Sequence, residues 1–283
     1  MTEKTEHSKP SYSDLVIYMA TLYEIGDPTS DVRSKLALAT LRNASRLGIK
    51  CVVADGRSSE AFLKEIEQLN PRLVEVIRVK TEWGEQRRDA LNQALADSSK
   101  KNFLFTDPEK DQLITEGNIR AMLEKLAEGA DIVVASRVSK ESYPDFQRDI
   151  ETKGNLKVKE LLEQRTGLRI AGEFDVWFGP KMFNRRGAEY FKNYRKAPGR
   201  EDMWDSIIAP VADAAIDGLK IETAKIEYRV DESQRNHEMT VPYRKIFITK
   251  RERQFKVVMD AVINSTWKSR REGQDVPREL RRR

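Results

Sequence analysis

Cysteine is nearly missing from this chain. There is one, Cys51, in 283 residues, which excludes a disulfide framework; set inside the apolar run Ile49 to Ala54, it reads as a buried thiol and fits a reducing compartment. Histidine is almost as scarce: His7 lies in a polar start expected to be disordered, and His237 in a polar stretch far downstream. No apolar run approaches the roughly 20 residues that span a bilayer. Met1 to Pro10 also lacks the apolar core of a signal peptide, so the expectation is a soluble, cytoplasmic protein. Internal repeats and low-complexity linkers are missing as well. So is the aromatic or glycine pattern of a nucleic-acid module, and no nucleic-acid partner is expected.

What is present suffices for one substantial core, with 39% hydrophobic and 34% charged residues. The length allows one large domain or two; we read one domain with a C-terminal appendage. The net charge of +5 is unevenly placed, since Thr240 to Arg283 carries 13 basic and 5 acidic residues. That segment reads as a basic helical extension over 240–283. Such runs are commonly solvated helix faces, and this one could also touch anionic lipid as a peripheral contact.

Apolar, β-branched runs at Leu15 to Met19, Ile49 to Ala54, Val74 to Val79, Phe103 to Thr106 and Ile132 to Ala135 alternate with stretches of helical periodicity. Strands alternating with helices predict a mostly parallel α/β sheet flanked by helices. The helices include one through Val32, Leu36, Leu41 and Leu47, another carrying Phe62, Leu63 and Ile66 behind Ser58 or Ser59, then Trp83 to Ala96 and Ile119 to Leu126. After Ser136 the alternation weakens. A polar loop is expected over 139–147, helices over 154–164 and 200–216, a strand over 221–230 and a long helix over 243–269. The apolar face of that last helix (Ile246, Phe247, Phe255, Val258, Met259, Val262, Ile263) must cover its own domain or a second copy in a homodimer.

The run Phe103-Leu104-Phe105-Thr106 ends in Asp107-Pro108-Glu109. In a parallel sheet the carboxyl ends of strands face the ligand crevice, so these carboxylates would project where a substrate and a hard divalent cation sit. A polar turn opened by Asp-Pro would leave the same trace. A second strand ends in Asp55-Gly56-Arg57-Ser58, where the acid could accept from a nucleobase N–H or simply make a strand-to-helix turn. Thr21 and Tyr23 follow the first strand. Gly84 to Asp89 opens a helix whose arginines suit phosphate or a nucleotide edge, if they are not plain surface.

In this order, Asp-Gly-x-Ser, Gly-x-x-x-Arg-Asp and Asp-x-acid resemble the nucleotide-diphosphosugar transferases of the Rossmann-like GT-A fold, especially the family 2 glycosyltransferases. The likeness continues through Ala130 to Arg137, Asp175 to Pro180, Arg200 to Trp204 and Asp217 to Ile221. It implies a domain over 13–239, with a nucleotide-binding half over 13–137 and an acceptor-binding half over 138–239. It also implies a metal-dependent hexosyl transfer from a nucleoside-diphosphate sugar to a hydroxyl acceptor, a small molecule or a glycan, with Mg²⁺ or Mn²⁺. By the resemblance Thr21, Tyr23, Asp55, Arg88 and Asp107 would bind the nucleotide. Asp107 and Glu109 would hold the metal, with Asp111 a second candidate and His237 a third ligand or an exposed bystander. Asp175, Trp177, Gly179 and Trp204 would form the acceptor side. Asp202, supported by Glu201, would be the general base or merely a helix cap. Trp177, Phe178, Trp204 and Tyr143 could stack on a sugar or belong to the core. A sugar nucleotidyltransferase and a non-catalytic binding protein keeping this fold are the competing readings; the first would need a glycine-rich loop that 20–26 does not supply.

Overall fold

Each of the five apolar runs forms a strand of one sheet in the computed structural model, which describes residues 12–24, 26–141, 143–167, 169–170, 172–196, 203–241 and 243–271, with side chains to residue 264. β1 (Leu15–Thr21), β2 (Lys50–Asp55), β3 (Val74–Arg78), β4 (Asn102–Phe105) and β5 (Ile132–Arg137) alternate with α1 (Pro28–Arg46), α2 (Glu60–Glu67), α3 (Trp83–Ala96) and α4 (Glu116–Ala127). The strands are apolar on both faces because both are covered. Val16, Tyr18, Phe103 and Phe105 pack under α3 and the helices of the second half; Leu15, Ile17, Met19 and Leu104 pack under α1, α2 and α4. Local chemistry sets the helix starts. Asp27 accepts the N–H groups of Thr29 and Ser30 with Pro28 at the first position of α1, and Ser59 and Thr115 cap α2 and α4.

The second half adds α5 (Asp145–Thr166), β6 (Lys181–Asn184), α6 (Arg185–Asn193), α7 (Asp205–Ile216), β7 (Ile221–Ile226), α8 (Glu232–Met239) and α9 (Tyr243–Arg271). Among the described residues the sheet has seven strands in the order β3-β2-β1-β4-β6-β5-β7. Only β6 runs against its neighbours, pairing antiparallel with β4 and β5. β1 leads through α1 to β2 on one side while β4 lies on the other, so the carboxyl ends of β1 and β4 mark a topological switch point.

Several elements differ from the sequence reading. The polar loop ends early, because α5 begins at Asp145 and buries the polar side chains of Gln147 and Glu151, which carry no apolar periodicity to read. β7 stops at Ile226, and α8 forms where no element was expected, an eight-residue polar helix capped by Asp231. α9 packs against α5 and α7. Phe247, Val258, Met259 and Val262 are buried in the same chain, whereas Ile246 (58%) and Ile263 (40%) stay exposed. No helix of the described residues is long and apolar enough to cross a membrane.

Candidate active site

A cavity of about 260 Å³ opens at the carboxyl ends of β1 and β4. Ala20, Phe105 and Thr106 come to it from the sheet, Thr29, Ser30 and Arg33 from the start of α1, Arg87 from α3, and Trp177, Phe178 and Gly179 from the turn before β6. Met203, Trp204, Ile207 and Ile208 add the α7 side, and Lys250, Arg251 and Gln254 add α9.

Asp107 and Glu109 both line this cavity. Their loop is pinned from α1, where Thr40 donates its hydroxyl to the Pro108 carbonyl at 2.6 Å and Asn43 donates to the Asp111 carbonyl at 2.8 Å. Asp107 Oδ2 stands 3.5 Å from Lys110 Nζ. Burial works to raise the Asp107 carboxyl, but Lys110, Arg87 and Lys181 outweigh it and hold the group below the ordinary carboxylate range. Gly179 makes this crowding feasible: it sits at φ +107°, and a Cβ there would lie 2.8 Å from Asp107 Oδ2. Glu109 pairs with Arg33 at 3.4 Å, and Arg33 in turn with Glu238 at 3.3 Å.

His237 does not line the cavity. Its Nε2 lies 3.0 Å from Thr29 Oγ1, and its ring meets Tyr243 at 4.3 Å. Asp111 opens a 3₁₀ turn, Asp111–Leu113, and is not a lining residue either. Among the described residues no three His, Cys, Asp or Glu side chains converge as a metal cage. A hard cation taken by one or two carboxylates and the substrate's own phosphate oxygens needs no such cage. Asp107 and Glu109 are oxygen donors of that kind on one wall, and Glu109 could serve a cation only by giving up its contact with Arg33.

Of the residues expected to bind the nucleotide, Tyr23 lines the cavity, stacks edge-on with Phe62 at 4.9 Å and leaves its buried hydroxyl without a partner among the described residues. Thr21 and Asp55 are fully buried beside it. Thr21 donates its hydroxyl to Asp55 Oδ2 at 2.8 Å, while Asp55 Oδ1 accepts the Arg57 and Ser58 N–H groups at 3.1 and 3.0 Å. That turn forces Arg57 to φ +98°, outside the conformations a side chain favours. Arg87, rather than Arg88, reaches the main cavity; its guanidinium lies over Phe105 at 5.4 Å and donates to Ser206 Oγ at 3.1 Å. Arg88 lines a small separate hollow with Gly84 and Leu91.

Of the residues expected on the acceptor side, Trp177, Gly179 and Trp204 line the cavity, and Trp177 Nε1 is buried without a hydrogen-bond partner among the described residues. Asp175 is placed differently. It is fully buried and accepts from Arg137 Nε at 2.6 Å, Arg137 Nη2 at 2.8 Å and Asn155 Nδ2 at 2.7 Å, away from the lining. Glu201 and Asp202 lie outside the described residues. Trp177 is held from below by Gly154 of α5, where a Cβ would stand 2.6 Å from the indole. Gly154→Ala is therefore expected to cost about 1–3 kcal/mol by overpacking and to alter the Trp emission spectrum. Urea unfolding and fluorescence check both, and an unchanged midpoint and spectrum would refute the contact.

Sequence reasoning passed over Arg33, Lys110, Lys250 and Arg251. Lys110 had a signal, a cation three residues beyond Asp107. Arg33 had a weaker one, a cation near a helix N-terminus where the dipole disfavours it. The α9 pair had none, because only the fold brings it to this cavity.

The model of the family described as glycosyl transferase family 2 matches residues 35–191, a stretch that contains Asp55, Asp107 and Asp175. Curated proteins gave no match. Among solved structures, a glucosyl-3-phosphoglycerate synthase from Mycobacterium tuberculosis, in complex with phosphoglyceric acid, is similar at a TM-score of 0.56 and 12% identity, over 89% of this chain and 79% of that one. A structure described as a mycobacterial protein is similar at 0.56 and 12%, over 89% and 74%. At such identity these likenesses speak for the fold alone, and that fold is the GT-A arrangement of nucleotide-diphosphosugar transferases.

Proposed function

This chain belongs to glycosyl transferase family 2, and from that premise we propose that it moves a hexosyl group from a nucleoside-diphosphate sugar to a hydroxyl acceptor in the cavity between β1 and β4. The observation that carries the reading is the position of Asp107, on the cavity wall at the end of β4 with Arg87 and Lys110 beside it. In this reading the base lies towards Tyr23 and the Asp55 turn, and the diphosphate lies along Arg87 and Lys110. These cations are fixed before the reaction, so they stabilise the charge that develops on the leaving diphosphate without reorganising. Asp107 and Glu109 would hold a Mg²⁺ or Mn²⁺ ion, which when bound would neutralise part of the same charge. Trp204 offers an apolar face to a sugar ring, while Trp177, buried against Phe255 and Gly154, shapes the wall behind it. Asp202 is the proposed base for the acceptor hydroxyl, with Glu201 beside it. The support is adjacency: Met203 and Trp204, which follow directly, line the cavity.

Calorimetric titration of UDP and GDP into the full chain, with Mn²⁺ and then with chelator, tests the donor half. We expect one nucleotide to bind saturably and to lose about tenfold or more in affinity on chelation. A parallel screen of nucleotide sugars should show release of that same nucleoside diphosphate. Failure of either nucleotide to bind with metal present would overturn the reading and favour a binding protein that keeps the fold.

A further inference from the structure

Three cations of the cavity wall take no part in the proposed transfer: Arg33 of α1, and Lys250 and Arg251 of α9. Arg33 and Lys110 each have a carboxylate within 3.5 Å. Lys250 has none among the described residues; the ring of Phe247 lies 5.7 Å away, and Glu238 and Glu109, which also face Arg33, act on it only from farther off. Arg251 reaches Glu151 only at 3.9 Å, and Glu151 is already committed to Arg137 at 2.7 Å. Its Nε is buried without a hydrogen-bond partner among the described residues. Burial, with Arg33 and Arg251 close by, drags the Lys250 ammonium down to about 7. Cations gathered in a cavity with too few carboxylates to match them favour an anion that supplies both charge and hydrogen bonds.

The place of this pair indicates which substrate brings the anion. α9 meets the turn before β6 through Phe255, stacked on Trp177 at 5.8 Å, while the groups assigned to the donor diphosphate, Arg87 and Asp107, come from α3 and β4. We propose that Lys250 and Arg251 form an anion subsite for a phosphate or carboxylate carried by the acceptor, so that the enzyme's acceptors are anionic hydroxyl compounds. This rests on the sugar-transfer reading given above. Gln254, which donates nothing to Arg251 but accepts from its Nη1 at 2.8 Å, orients that guanidinium.

Inorganic phosphate is the probe, titrated calorimetrically into the full chain alone and again with saturating UDP or GDP. Phosphate should bind saturably in both conditions and weaken about tenfold in Lys250→Gln and in Arg251→Gln. Nucleotide affinity should change by less than about threefold, circular dichroism should be unchanged, and Lys250→Arg should retain phosphate binding. Displacement of phosphate by the nucleotide would assign the pair to the donor diphosphate and overturn the proposal. Equal phosphate affinity in both variants, or no phosphate binding by the unaltered chain, would overturn it too. Absence of nucleotide binding is read on its own titration; it would discard the donor reading and the acceptor assignment with it, whatever phosphate does.

Discussion

Asp107→Asn is expected to lower kcat for sugar transfer by about 10³-fold, on the scale of losing one preorganised electrostatic partner of a transition state. The substitution keeps the shape of the side chain and removes its charge. In the native chain that charge faces Lys110, Arg87 and Lys181, and it is the carboxylate best placed to hold a cation against the diphosphate. Stability should move little, because the side chain is 32% exposed to the cavity and solvent can answer for the lost charge. The assay is release of nucleoside diphosphate from the donor identified by the screen, run beside a thermal melt. A variant that keeps more than about a tenth of the rate would remove Asp107 from the chemistry. A variant that merely unfolds would show it in the melt.

The largest effect on stability should come from Arg137→Met. Arg137 is 1% exposed and lies between the rings of Tyr143 and Phe178, at 4.4 and 4.6 Å. Its guanidinium serves Asp175 and Glu151 together. Removing it leaves two buried carboxylates short of charge, Asp175 keeping Asn155 and a distant Lys140, and Glu151 keeping Gln147 and a distant Arg251. Breaking one side of such a network costs about 3–5 kcal/mol, largely the penalty of the unpaired charge left behind. The pH dependence carries the same signature. Burial alone would raise the Asp175 carboxyl, yet Arg137 holds it below its ordinary value. A depressed carboxylate contributes stability in full above its unfolded value of about 4 and loses it as pH falls through the folded value. In Arg137→Met burial is left to raise that carboxyl, so the acid-side loss from Asp175 should vanish or reverse, and the stability gap between the variant and the unaltered chain should narrow as pH falls. Urea midpoints between neutral and acid pH give both numbers; a change under about 1 kcal/mol would show that the network relaxes without cost.

How much of this was legible in the sequence depended on where the signal was carried. β1 to β5 were readable because buried parallel strands are apolar on both faces, and Asp107 and Glu109 because carboxylates after such a run are conspicuous. β6 was not: it has four residues, begins with Lys181 and ends with Asn184, and runs antiparallel, so neither length nor pattern announces it. The buried Lys181 is accommodated because its ammonium donates to the Val176 and Gly179 carbonyls at 2.8 and 2.7 Å, which only the folded turn provides. Asp175 illustrates a different limit. An acid before an aromatic turn has the same letter whether it meets a substrate or a buried arginine, and its partner Arg137 lies at the end of β5. The α9 cations are hidden by distance along the chain, reaching the cavity only because α9 folds back over α5 and α7.

Because β6 is the reversed strand between β4 and β5, the chain leaves the sheet after β5 and re-enters it at β6 on the same edge, the one that carries the cavity. The excursion between these points holds α5, the Arg137 partners and the Trp177 turn, with both its ends anchored side by side on the sheet. Such an excursion behaves as a replaceable cassette. A relative could exchange it, and with it one wall of the cavity, without redrawing the strands beneath.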